Sequence, residues 1–291
     1  MRAFSGAFLA VDWGTTNRRI FKIEGGAVIA TERDARGVTA IAAQAYPAEI
    51  AALRRRFGDL PMLLAGMVGS TLGWREVPYV VAPVGLPALA RGLNWIDART
   101  AIVPGVSFLS ETRADVMRGE ELQLLGAVAS GLVPPDSLLC QPGTHCKWAT
   151  MQGGEIADFV TAMTGELFAL LRAHGLLAPQ LGADVKANGA FLAGVEAGKA
   201  RDLAASLFGI RAAKLLGRRD DADAASYASG LLIGSDVAAR LQKPAEVFVL
   251  ADPALGELYV AAIAANGGEA HIVDSHAAFA AGIIALDKTI A

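Results

Sequence analysis

The chain has 291 residues, 53% of them hydrophobic and only 19% charged, with a mean hydropathy of +0.40. That excludes a disordered or low-complexity protein and requires a large buried core, and the length suits two domains. The formal charge is -3, from 26 Lys and Arg against 29 Asp and Glu, and no basic run exceeds Arg54-Arg55-Arg56, so charge favours a small solute over nucleic acid or a membrane surface.

Apolar stretches such as Ala277 to Leu286 fall short of the roughly 18 residues a bilayer requires. The apolar segment after Arg2 is interrupted at once by Asp12 and leaves no room for a secretory signal, so a cytoplasmic location is expected. Cys140 and Cys146 are too few for a disulfide framework, and with only His145 nearby they cannot complete a tetrahedral zinc site; two free thiols in or near a strand are expected.

Ala7 to Trp13 reads as a buried strand ending in Gly14-Thr15-Thr16-Asn17. Arg19 to Ile23 resumes the strand pattern, Gly25-Gly26 makes a hairpin, and Ala27 to Thr31 completes an antiparallel meander. A helix is expected from about Pro47 to Phe57, then short strands at Met62 to Gly66 and Ile102 to Gly105. From Glu120, the spacing of Leu122, Leu125 and Ala129 predicts a helix that ends near Gly131, before Pro134-Pro135. The opening theme then recurs. Leu138 to Cys140 runs into Pro142-Gly143-Thr144, and two more strands, His145 to Met151 and Ile156 to Val160, are turned by Gly153-Gly154. Helices should fill much of 164 to 242, with later strands at Val247 to Leu250 and His271 to Val273. Two topologically alike α/β lobes are expected, residues 1–112 and 113–291, with the last helix free to pack back on the first.

A glycine-threonine turn between two strands exposes consecutive N–H groups and hydroxyls, a donor array suited to phosphate oxygens. Gly14, Thr15 and Thr16 fit that need, Gly143 and Thr144 fit it again, and two such tips facing each other could hold the phosphates of one nucleotide. Asp12, at the end of an apolar strand beside the first turn, is placed either to hold a hydrated Mg²⁺ or to accept the turn's own N–H groups. Gly194 to Ala200 is no Walker loop, being one residue short between its glycines and lacking the Ser/Thr for Mg²⁺.

Six ordered blocks stand out: Ala10 to Asn17; Ala65 to Ser70 with Gly73-Trp74 and Pro78-Tyr79; Val116 to Glu121; Pro142 to Trp148; Met163 to Leu167; and Ser229 to Gly234. Together they resemble the 2-dehydro-3-deoxygalactonokinases, sugar-acid kinases of the acetate/sugar kinase, Hsp70 and actin superfamily. The resemblance spans nearly the whole chain. It implies two ribonuclease H-like lobes around a nucleotide cleft (an actin-like ATPase fold) and ATP-dependent phosphorylation of the C6 hydroxyl of 2-dehydro-3-deoxy-D-galactonate. The partners are then ATP and a small sugar acid, with Mg²⁺ as cofactor and neither nucleic acid nor membrane. A homo-oligomer is compatible with it.

Phosphoryl transfer needs positioning, charge neutralisation and a carboxylate to take the alcohol proton. In kinases of this superfamily that acid opens a helix at a set distance before a glycine. Counting back from Gly126 lands on Gly119, one position short of Glu120; Glu120 is the candidate base, its additional methylene making up the offset, with Glu121 and Asp115 as rivals and ordinary helix-dipole acids as the plainer reading. Arg118 and Lys147 are candidates for the substrate carboxylate, with surface solvation the alternative for both and an even match for Lys147. Thr164 is expected to cap a helix in which Glu166 could bind a hydroxyl. Trp74 and Tyr79 either line the sugar pocket or belong to the core, and Asn17 and Ser70 join the substrate-binding candidates. Asp252-Pro253 stands where the family pattern suggests a glycine of the adenosine loop. The alternatives are a kinase for another keto-deoxy sugar acid, or a non-catalytic nucleotide or sugar-acid sensor on the same fold.

Overall fold

The computed structural model describes residues 4, 6–241 and 245–290. The chain opens with the meander β1 (Ala7–Trp13), β2 (Arg18–Glu24) and β3 (Ala27–Asp34), followed by α1 (Tyr46–Phe57) and β4 (Met62–Gly66). Short elements come next: β5 (Val80–Val81), α2 (Leu86–Arg91), β6 (Asn94–Asp97), β7 (Thr100–Ile102), β8 (Val106–Leu109) and β9 (Ala114–Met117), leading into α3 (Glu120–Ala129). A second meander, β10 (Ser137–Gln141), β11 (Cys146–Gln152) and β12 (Glu155–Ala162), precedes α4 (Thr164–His174), α5 (Gly189–Gly198), α6 (Leu203–Leu215) and α7 (Asp221–Arg240). The chain then runs through β13 (Glu246–Leu250), α8 (Pro253–Ala265) and β14 (Glu269–Val273) into α9 (Ser275–Thr289).

Both meanders turn on paired glycines in the left-handed region, Gly25-Gly26 at φ 58° and 79° and Gly153-Gly154 at 56° and 83°, the backbone that tight two-residue hairpins demand. The first sheet runs β3-β2-β1-β4-β7-β6 and the second β12-β11-β10-β13-β14. In each, the opening strand lies between its hairpin partner and a later parallel strand: β1 pairs parallel with β4, and β10 with β13. The ribonuclease H-like order therefore occurs twice, the architecture of the actin-like ATPases. A small third sheet, β5-β8-β9, is added. The strand expected over Ile102 to Gly105 stops at Ile102, because Pro104 cannot donate to a ladder.

The chain divides into two compact units. One comprises the described residues up to Asp136 with Thr150–Phe159 and those from Ser275 onward; the other comprises Ser137–Ala149 and Val160–Asp274. The first is organised by Leu9, Val11 and Trp13 of β1 packed on Tyr46, Ile50 and Leu53 of α1, all buried. Also within it, α3 and α9 cross at Gly126 and Gly282, where an added Cβ would stand 2.0 Å from the carbonyls of Ala278 and Leu122 respectively. In the second unit, Phe191 and Val195 of α5 and Val237 of α7 pack with Val247 and Val249 of β13. There α5 and α7 touch backbone to backbone: a Cβ on Gly194, Gly198, Gly230 or Gly234 would lie 2.1–2.5 Å from a carbonyl oxygen of the facing helix. Gly194 to Gly198 thus belongs to a helix and forms no phosphate loop.

Candidate active site

In the first unit, Asp12 occupies the penultimate position of β1, in register with Arg19 on β2 and Ala65 on β4. Burial pushes its carboxyl up to about 6, against the pull of the Arg19 cation and with a further push from the Glu120 charge. Among the described residues, the Gly14–Asn17 turn gives it no hydrogen bond. The turn is held instead through its carbonyls. Gly37 N–H donates to Thr16 at 3.0 Å, Val38 to Gly14 at 3.0 Å and Thr39 to Thr15 at 3.2 Å, while Gly14 N–H donates to Asn17. With the carbonyls engaged, exposed Thr15 and Thr16 are left to offer N–H and hydroxyl donors, as an anion-binding turn requires.

Gly119, at φ 106°, makes the corner between β9 and α3. The two acids that follow it differ sharply in environment. Glu120 is half-buried, and its Oε2 accepts the Arg118 N–H at 3.0 Å. Glu121 has no exposed surface; its Oε2 accepts the Gly119 N–H at 2.6 Å, and burial, reinforced by the Glu120 charge, pushes its carboxyl up to about 8. Asp115 lies on β9, where Oδ1 accepts the adjacent Val116 N–H at 2.8 Å and Oδ2 is 3.9 Å from Arg113 Nη1. The Arg118 guanidinium sits 4.3 Å from the centre of the Tyr79 ring and donates Nη2–H to the Val77 carbonyl at 2.7 Å. Its Nε and Nη1 are buried without a partner among the described residues.

At the end of β4, Gly66 at φ 85° directs the chain into a tight turn. The Ser70 hydroxyl donates to the Met67 carbonyl at 2.7 Å and accepts the Leu72 N–H at 3.2 Å, so it shapes this turn. Trp74 stacks on Tyr46 at 5.6 Å and 6°, and Tyr46 meets Trp13 edge-on at 5.2 Å, which makes Trp74 an outer member of the β1–α1 core. Asn17, half-buried, closes the first turn through its carbonyl.

In the second unit, the Gly143-Thr144 turn rests on the start of α4. Glu166 N–H donates to the Thr144 carbonyl at 2.9 Å, and a Cβ on Gly165 would lie 2.3 Å from the Gly143 carbonyl oxygen. His145 Nε2 and Glu166 Oε2 are 2.6 Å apart, so the Glu166 carboxylate is already paired with a turn residue. One alternative and one expectation are corrected here. The alternative of surface solvation for Lys147 is excluded: it is 4% exposed and donates Nζ–H to the Thr161 hydroxyl at 2.8 Å. Thr164 does not cap α4: Met163 precedes the helix, and the Thr164 hydroxyl donates to Asp236 Oδ2 at 3.3 Å, beside the Trp148 indole N–H at 3.0 Å. Cys140 and Cys146 are free, buried thiols 3.6 Å apart. Asp252 stands at the N-cap of α8 in extended backbone, with Pro253 as its first helical residue.

A sequence model of the 2-keto-3-deoxy-galactonokinase family matches residues 12–286. The chain belongs to that family. It is 34% identical over 290 residues to the 2-dehydro-3-deoxygalactonokinase of Escherichia coli (strain K12), with 98% of each chain covered. It is 35% identical over 302 residues to a Rhizobium meliloti (strain 1021) protein named a probable 2-dehydro-3-deoxygalactonokinase, again with 98% of each covered. A crystal structure from Sinorhizobium meliloti assigned the same name superposes with a TM-score of 0.88 at 34% identity, covering 97% of this chain and 99% of that one. For this 2-keto-3-deoxy-galactonokinase family member, the features that sequence reasoning missed are the buried state of Glu121, the Asp236 hub and the stacked glycines 66 and 119. A signal existed for the first: Glu121 stands four residues before the buried Leu125, on the same helical face. Among the described residues, no helix is long and apolar enough to cross a membrane.

Proposed function

We propose that this chain transfers the γ-phosphoryl group of ATP to the C6 hydroxyl of 2-dehydro-3-deoxy-D-galactonate. The family match over residues 12–286 carries the reading. The chemistry beside the first turn is consistent with it: a partly buried acid at a strand end next to exposed Thr15 and Thr16. Gly14, Thr15 and Thr16 are assigned to phosphate oxygens, as are Gly143 and Thr144. Arg118, with Nε and Nη1 unpartnered among the described residues, is assigned to the sugar-acid carboxylate ahead of the buried Lys147, with Asn17, Ser70, Glu166 and the outer edge of Trp74 assigned to the rest of the substrate site.

Mg²⁺ suits the acid present. Asp12 is a carboxylate whose ionisation burial and the Glu120 charge both oppose, so a divalent cation would relieve it. Among the described residues no cluster of three or more His, Cys, Asp or Glu is arranged for a metal; Mg²⁺ requires none, since one or two carboxylates with phosphates and waters suffice. When bound, the ion neutralises charge on the phosphates.

Glu120 is assigned as the base. It takes the C6 proton as that oxygen bonds to the γ-phosphorus, the bond from phosphorus to the β–γ bridging oxygen breaks, and ADP leaves. Glu121 is completely buried, and Glu120 is the acid whose charge acts on Asp12 beside the first turn, which supports this choice. A coupled ADP-release assay over a panel of C6 sugar acids tests the proposal. Nucleotide binding without substrate-dependent ADP would replace the kinase with a sensor.

A further inference from the structure

The second acid of α3 has no part in that chemistry, yet it is the more firmly held of the two. Glu121 is wholly buried, one carboxyl oxygen accepts the Gly119 N–H at 2.6 Å, and the other has no partner among the described residues. Burying a carboxyl this way is unfavourable unless the bond it makes fixes something. What it fixes is the one residue between Arg118, whose N–H holds Glu120, and the helix that carries Glu120. A Cβ on Gly119 would stand 3.3 Å from the Gly66 α-carbon, and one on Gly66 would stand 3.4 Å from Asp12 Oδ1, so the corner sits against the strand end that carries Asp12.

We propose that Glu121 is a positioning residue whose buried carboxyl, by holding the Gly119 N–H, sets the place of the Glu120 carboxylate. The inference rests on the kinase reading above. Because burial pushes this group up to about 8, it keeps its proton at neutral pH and adds no negative charge beside Glu120. The requirement is for an acceptor of the right length, which an amide also supplies.

The test is steady-state kinetics of sugar-acid-dependent ADP release for Glu121→Gln, Glu121→Leu and Glu121→Asp, with thermal unfolding and calorimetric ATP affinity measured alongside. Glu121→Leu keeps the volume but cannot accept the bond; its kcat should fall by about a hundredfold or more, with ATP affinity within about threefold. Glu121→Gln should stay within about tenfold of the native kcat, since its carbonyl restores the acceptor. Glu121→Asp keeps an acid one methylene too short and should resemble Glu121→Leu, which also covers the case in which the leucine variant fails to fold. A glutamine variant as defective as the leucine one would make the carboxylate itself the requirement and overturn the proposal. So would leucine or aspartate variants with near-native kcat. If the native protein binds ATP but releases no ADP with any sugar acid, the kinase reading fails and the positioning role falls with it, an outcome the variants' relative rates cannot mimic.

Discussion

Gly119 stacks on Gly66: both hold left-handed backbone, at φ 106° and 85°, and a Cβ on Gly119 would stand 3.3 Å from the Gly66 α-carbon. Gly66→Ala and Gly119→Ala should each destabilise the protein by about 1–3 kcal/mol through backbone strain alone. Gly66→Ala should be the worse, because its Cβ would also meet the Trp13 carbonyl oxygen at 2.8 Å. Urea midpoints at constant m-value read the difference, and equal midpoints for native and Gly66→Ala would refute it.

Glu120→Gln keeps shape and the bond from Arg118 N–H but cannot take a proton. Its kcat should fall by at least about two orders of magnitude with little change in KM. A near-native kcat, with Asp115→Asn inactive, would move the base to Asp115.

For Asp12→Asn the expected defect lies in metal use. The rate at low Mg²⁺ should drop steeply and recover in part as Mg²⁺ is raised, because the amide oxygen is a weaker ligand than a carboxylate. A titration showing equal loss at every Mg²⁺ concentration would remove Asp12 from the metal.

Glu121 predicts a pH dependence of stability. Its folded carboxyl is raised to about 8 from an ordinary 4.5, so across that interval the folded state holds a proton that the unfolded chain has released. This contribution to stability is complete at low pH and is lost as pH rises through about 8. Glu121→Gln does not titrate, so its Tm relative to the native protein should rise steadily from pH 5 to pH 8. A constant difference would mean that the carboxyl ionises freely in the fold.

Asp236 accepts from Trp148 and Thr164 and faces Arg240 Nε at 3.5 Å. Removing it leaves buried donors unpaired, so Asp236→Ala should lower stability by about 1–3 kcal/mol, and Asp236→Asn by less because the carbonyl remains. Calorimetric unfolding of the two variants decides this; equal losses would show that the charge, and not the acceptor, matters.

The doubled meander was legible because it is written in strong local signals: apolar runs that stop at Gly-Thr turns, and Gly-Gly pairs that only a hairpin explains. The short strands β5, β6, β8 and β9 were not, since two to four residues carry no periodicity. Asp12 and each Gly-Thr turn could be placed from sequence because they sit at strand ends. Lys147 was harder: its charge argues for water, and a hydroxyl it donates to, on Thr161, comes from the next strand. Thr164 misled for a related reason, since an N-cap and a hydroxyl spent on a distant carboxylate look alike until Asp236, 72 residues on, is brought beside it.

The glycine contact between α5 and α7 has a mechanical consequence. With two backbones pressed together at four places, neither helix can roll or slide without driving a carbonyl into its neighbour, so the pair should respond to force as one stiff plank. Asp236 rides on that plank, and through it Trp148 and the first residue of α4 are tied to the α5–α7 pair, giving the Gly143-Thr144 turn, which rests on the start of α4, a fixed footing.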